Sequence, residues 1–222
     1  MQLAAVLFDM DGLLVDSEPV WTVAEVELAE RLGGTWTDEL KARIVGTRLE
    51  TAVPVILAGL GHEPTPELVA GTMSDLLARM VELFGEGVTA LPGGVGLVDA
   101  LRAEGVPVAL VSSSYRVLVD AAQRQLGLRF DVTVAGDEVG RAKPDPEPYL
   151  RACAALGVAP EQAVVLEDSP SGILSGQAAG CAVLAVPSVK GVVVARAPRL
   201  QVATSLAGVG VDDLRRLVQE QA

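Results

Sequence analysis

Two acidic residues, Asp9 and Asp11, stand two positions apart at the end of the apolar run Ala4 to Phe8, with Gly12 directly after them. The run reads as a buried strand. Carboxylates at the end of such a strand lose solvation and repel each other. A hard divalent cation is the usual remedy, because it favours carboxylate oxygens. Period two would put both side chains on one face if the strand continued. Gly12 indicates that it stops, which frees the two carboxylates for different roles. One nucleophile and one acid/base is the pair that covalent phosphoryl transfer requires.

Three further groups recur at comparable places. Ser112-Ser113-Ser114 follows an apolar run, Lys143-Pro144-Asp145-Pro146 precedes a helical stretch, and Glu167-Asp168-Ser169 follows another apolar run. Singly, each has an ordinary explanation: a helix cap for the serines, a solvated charge for Lys143, loop acids for Glu167 and Asp168. The chain has only three lysines, Lys41, Lys143 and Lys190, so each merits a reason. In a parallel sheet the three groups converge on Asp9 and Asp11.

The elements that would position them are legible. Ala4–Phe8, Val106–Val111, Asp131–Ala135, Ala163–Leu166 and Ala182–Val186 read as buried strands. Gly94–Glu104, Tyr115–Leu126, Pro146–Leu156 (after Asp145 as N-cap) and Pro170–Ala179 (after Ser169) read as helices, each closed by a glycine. Strict alternation predicts an α/β fold with a doubly wound parallel sheet, whose ligands bind beyond the carboxyl ends of the strands. From Ser17 to Phe84 the pattern is helical only, with one helix starting at Thr65-Pro66-Glu67. The expected organisation is a core of residues 1–16 and 88–222 with an inserted α-helical cap at 17–87, hinged near Val15–Pro19 and Gly85–Pro92.

Composition narrows the function. The chain has 222 residues, half of them hydrophobic, with only 3% aromatic, so aliphatic side chains must fill the core. A formal net charge of −12 argues against a nucleic-acid partner, whose footprint would be basic. It does not oppose a small phosphorylated metabolite, because a few local cations and a metal reverse the field. No apolar run approaches the ~18 residues of a membrane span. No leader segment precedes the first strand, and Cys153 and Cys181 read as reduced thiols; the expectation is a cytoplasmic monomer.

Together, Phe8-Asp9-Met10-Asp11-Gly12, Val111-Ser112-Ser113, Lys143-Pro144 and Leu166-Glu167-Asp168-Ser169 resemble the four motifs of the haloacid dehalogenase (HAD) superfamily of phosphohydrolases. The stretch Asp11 to Pro19 resembles the branch holding β-phosphoglucomutase and the sugar- and polyol-phosphate phosphatases. The resemblance implies Asp9 as nucleophile, forming an aspartyl-phosphate. It implies Mg²⁺ held by Asp9, the backbone carbonyl of Asp11, and Asp168, with Glu167 either binding the ion or orienting water on it. Asp11 would be the acid/base. Ser112 would hydrogen-bond a phosphoryl oxygen, and Lys143 would neutralise charge there and hold Asp9, with backbone N–H donors near Met10 and Ser113. Ser114 is expected to cap the next helix.

The cap would choose the substrate. Arg48 matches a cap arginine of the mutase branch and is otherwise a solvated helix charge; Arg79 is a weaker candidate. Glu18 and Trp21 lie just past the hinge, Trp21 as substrate contact or cap core. Mutases of this branch carry a histidine two positions after the hinge acid. Here Glu18-Pro19-Val20 has none, and the sole histidine, His62, lies in a cap loop. That departure favours a Mg²⁺-dependent phosphatase for small sugar or polyol phosphate monoesters over a phosphomutase. A phospho-accepting or phosphate-binding regulatory protein is the non-enzyme alternative, but a receiver-type domain is much shorter and has no place for the helical insert.

Overall fold

The computed structural model describes residues 2–44, 47–188 and 197–219, and contains two compact units, Met1–Asp16 with Val88–Ala222, and Ser17–Gly87. Lys190, Val45 and Gly46 lie outside the described residues.

In chain order the first unit opens with β1 (Ala5–Phe8) and β2 (Val15–Asp16). The second unit holds four helices: α1 (Glu18–Arg31), α2 (Asp38–Ile44), α3 (Leu49–Gly59) and α4 (Pro66–Glu86). The chain then returns through β3 (Thr89–Ala90), α5 (Gly94–Ala103), β4 (Val108–Val111), α6 (Arg116–Leu126), β5 (Val132–Val134), α7 (Glu147–Leu156), β6 (Ala163–Glu167), α8 (Pro170–Ala178), β7 (Ala182–Ala185), β8 (Leu200–Val202) and α9 (Val211–Gln219). No described helix is long and apolar enough to cross a membrane.

Six strands form one parallel sheet in the order β5-β4-β1-β6-β7-β8. β1, β4, β6 and β7 are buried along their whole length. That explains their continuous apolar runs: strands covered by helices on both faces show no alternation. From β1 the chain builds outward to β4 and β5, then crosses to β6 on the other side. The switch point therefore lies at β1, where such sheets bind ligands. Register does the rest. Phe8 pairs with both Leu110 and Leu166, so the next residues along, Asp9, Val111 and Glu167, lie side by side at the carboxyl ends of the three strands.

The sheet has a sixth strand, β8, that the sequence pattern did not announce. Leu200-Gln201-Val202 is short and half exposed, and an edge strand of three residues carries too little apolar signal to separate it from a loop. β2 and β3, an antiparallel pair at the two chain crossings between the units, were hidden for the same reason. Helix starts shift by a residue. Pro146, not Asp145, is the N-cap of α7, although Asp145 still accepts the Glu147 N–H at 2.9 Å. Ser169 caps α8 by accepting from Gly172 N, and Thr65 caps α4 by accepting from Leu68 N. Cys153 and Cys181 are unbridged and buried.

Candidate active site

Lys143 is the hub. Its ammonium donates to Asp9 Oδ1 at 2.6 Å, to Glu167 Oε1 at 2.6 Å and to the Val111 carbonyl at 2.9 Å. The side chain is 3% exposed. Its aliphatic stem crosses from the loop before α7 to the ends of three adjacent strands. Burial by itself would depress the Lys143 ammonium, but the Asp9 and Glu167 carboxylates outweigh it and hold it above its ordinary value. Tyr149, the largest fully buried side chain, sits beneath, its ring centroid 4.9 Å from the Lys143 nitrogen.

Glu167 is fully buried, and four donors meet it. Lys143 and the Tyr149 hydroxyl (2.9 Å) take Oε1; the Ser169 N–H and hydroxyl (both 3.0 Å) take Oε2. A carboxylate has about four lone-pair sites, so these bonds saturate it. Tyr149 and Ser169 were not singled out from sequence as site residues. Tyr149 lies in the first turn of α7, the helix that packs against β1, β4 and β5, where a tyrosine reads as core.

Asp9, Glu167 and Asp168 are all buried and bring carboxylate oxygens within 4.8 Å of one another. Three carboxylates against the one Lys143 ammonium leave a formal excess of two negative charges. An all-oxygen donor set with that excess fits a hard divalent ion such as Mg²⁺. Burial, followed among the raising causes by Glu167, Asp168 and Asp11, holds the Asp9 carboxyl well above the usual range, with Lys143 opposing. Burial also pushes Asp168 up to about 6, while a Ser188 hydroxyl donating to Oδ2 at 2.5 Å opposes it. Cation charge within the cluster would reverse both tendencies.

Gly12 explains why the chain turns where it does. Its φ is +79°, and a Cβ there would lie 2.1 Å from Asp168 Oδ2. Only glycine allows the turn and the close approach of that carboxylate together.

Asp11 sits against two serine hydroxyls. Its Oδ2 accepts from the Ser114 hydroxyl at 2.8 Å and from the Ser112 hydroxyl at 3.3 Å. The two strand-end carboxylates thus have different surroundings, one buried on an ammonium, the other on hydroxyls. This corrects the expected role of Ser114: Tyr115 is the N-cap of α6, and the Ser114 side chain turns to Asp11. Ser113 is exposed, with its carbonyl packed on Gly136.

Within the helical unit, the charged and aromatic residues that the sequence singled out have these surroundings. Arg79 is bound by Glu27 (2.6 and 3.0 Å), Glu82 and Glu86. Glu18 pairs with Lys41 at 3.1 Å. Arg48 is the half-buried N-cap of α3, Trp21 is half-buried on α1, and the His62 ring bonds the Leu32 carbonyl at 2.8 Å.

Known proteins give this geometry a context. The chain is 37% identical over 193 residues to hexitol phosphatase A of Escherichia coli (strain K12), covering 84% of each. It is 34% identical over 180 residues to a phosphorylated carbohydrates phosphatase of Thermotoga maritima, covering 80% of this chain and 82% of that one. The crystal structure of CbbY from Rhodobacter sphaeroides in complex with phosphate superposes with a TM-score of 0.86 at 29% identity, over 96% of this chain and 99% of the other. A family model described as haloacid dehalogenase-like hydrolase matches residues 3–180, the span that carries Asp9 through Asp168, and the chain belongs to that family.

Proposed function

We propose that this hydrolase is a phosphatase for phosphate monoesters of sugars or polyols, acting through an aspartyl-phosphate on Asp9. The observation that carries the reading is the unequal treatment of the two strand-end carboxylates. Asp9 Oδ1 is fixed by Lys143, which leaves Oδ2 for attack on phosphorus. Asp11, on its hydroxyl bonds, is kept for proton transfer. In the first half-reaction the Asp9–phosphorus bond forms and the bond to the leaving oxygen breaks, that oxygen taking a proton from Asp11. In the second, Asp11 takes a proton from water, the water oxygen bonds phosphorus, and Asp9 is released with inorganic phosphate. Ser112 donates to the phosphoryl oxygens as charge develops, and the Lys143 ammonium, held on its three acceptors, supplies positive charge beside them. Asp9, Asp168 and the Asp11 carbonyl would hold Mg²⁺, with saturated Glu167 fixing Lys143 behind them. When bound, the ion supplies charge neutralisation between the attacking carboxylate and the anionic ester.

The substrate class is drawn from the hexitol and carbohydrate phosphatases, which the chain matches over most of its length. Selection among esters is assigned to the helical unit, 17–87, with Arg48 and Glu18 as contacts. The test is phosphate release from a panel of sugar, polyol and nucleotide phosphates, with Mg²⁺ or EDTA, for the wild type and Asp9→Asn. Metal-dependent release lost in the variant is expected. Conversion of a sugar phosphate to its isomer without phosphate release would move the assignment to a mutase, and no turnover of any kind would sink it.

A further inference from the structure

Ser114 does not cap the helix that follows it, and its hydroxyl donates to Asp11 Oδ2 at 2.8 Å. We infer that Ser114 is a positioning residue that keeps Asp11 aligned for proton transfer while Ser112 turns its hydroxyl to the phosphoryl group. The inference rests on the phosphatase reading above, in which Asp11 is the acid/base.

The argument is a count of protons. A serine hydroxyl has one hydrogen to give, and a carboxylate only accepts. The Ser112 oxygen already accepts from the Ser114 N–H at 2.9 Å, and its single proton points to Asp11 at 3.3 Å. When Ser112 donates to a phosphoryl oxygen, that proton leaves Asp11. The Ser114 bond at 2.8 Å can stay. By donating to Oδ2, Ser114 leaves the other Asp11 oxygen to carry the transferred proton.

The backbone around Ser114 is seated to make this hold. Its N–H is on Ser112, and its carbonyl accepts the Gly136 N–H at 2.8 Å. A Cβ on Gly136 would come within 2.0 Å of the Ser113 carbonyl oxygen, so β5 and the turn after it press directly on the serine loop. The Ser114 hydroxyl is therefore presented to Asp11 by a loop fixed on two sides.

The test compares the first-turnover release of two leaving groups in saturating Mg²⁺: the polyol of sorbitol 6-phosphate, which needs a proton, and nitrophenolate, which does not. In Ser114→Ala the polyol rate should fall roughly 10- to 100-fold, the scale of a misplaced catalytic group. The nitrophenolate rate should fall no more than about threefold, because the general acid's share of that step is small. Half-saturating ester concentration should not move, and Ser114→Thr, which keeps the hydroxyl, should recover most of the polyol rate. Equal losses for both esters, or a loss confined to half-saturation, would overturn the inference. Asp11→Asn is measured alongside: if it loses both esters equally, Asp11 is not the acid, and the reading beneath the inference fails separately.

Discussion

The Lys143 ammonium lies 2.6 Å from Asp9 Oδ1 and 2.6 Å from Glu167 Oε1, so one buried cation ties β1 to β6 at their carboxyl ends. Replacing it tests structure and chemistry together. Lys143→Met should leave buried carboxylates without their counterion and cost about 3–5 kcal/mol in metal-free buffer. Turnover should fall by roughly 10²–10³, the loss of one preorganised donor. Lys143→Arg should not rescue it, because a planar guanidinium cannot replace a point charge that meets three acceptors at once. Urea unfolding in EDTA and steady-state rates in Mg²⁺ check the two parts. Rescue by arginine would contradict the hub.

Mg²⁺ should stabilise the protein through Asp9 and Asp168. At ~100-fold excess over its dissociation constant a ligand adds about 2.7 kcal/mol. In a protein of this size that corresponds to about 5–10 °C in Tm. Asp168→Asn should lose most of the shift and require far more Mg²⁺ for half-maximal rate. Differential scanning in Mg²⁺ and in EDTA decides it. An unchanged Tm in the wild type would mean that the acidic cluster does not hold the ion.

Gly12→Ala and Gly61→Ala separate backbone strain from site disruption. Both glycines have positive φ, +79° and +85°, but a Cβ on Gly61 meets nothing within 4 Å. Each alanine should cost about 1–2 kcal/mol for the left-handed backbone. Only Gly12→Ala should also drive the Asp168 carboxylate away and raise the Mg²⁺ requirement. If both variants kept the wild-type Mg²⁺ dependence, Gly12 would be a turn residue and nothing more.

The strand ends and their acids were legible because the sheet is parallel and covered on both faces. Buried strands then appear as unbroken apolar runs, and polar residues that interrupt them fall at strand ends. Asp9, Ser112 and Glu167 could be read this way, and Lys143 by its proline-rich loop. Tyr149 could not, because a tyrosine on the apolar face of α7 looks like core until its hydroxyl is seen on Glu167. Ser188 was equally hidden, since nothing in Pro187-Ser188 announces a bond to Asp168. The serine run Ser112 to Ser114 was read as a site and a cap, but which serine faced Asp11 depended on a turn pressed against Gly136 from β5, a contact between residues distant in sequence. Arg79 and Glu18 show the limit for the helical unit. Charge type was visible, yet their partners Glu27 and Lys41 are set by how α1 meets α2 and α4.

Lys41 and Glu25 offer a test within the helical unit. Glu25 is 4% exposed on α1, and Lys41 of α2 reaches it at 2.7 Å. Burial raises the Glu25 carboxyl above its ordinary value, with Lys41 opposing. A carboxyl whose folded-state pKa is raised binds protons more tightly folded than unfolded, so its contribution is full at low pH and is lost as pH rises through that folded value. Lys41→Met removes the opposing charge and raises it further. The variant should therefore lose about 2 kcal/mol at neutral pH, between the worth of an exposed pair and a buried one. The loss should shrink as pH falls, because a protonated Glu25 needs no counterion. Glu25→Gln on the same background should restore most of the stability at pH 7. Urea titrations at several pH values measure all three. A loss independent of pH would show that Lys41 acts through its packed stem and not through its charge.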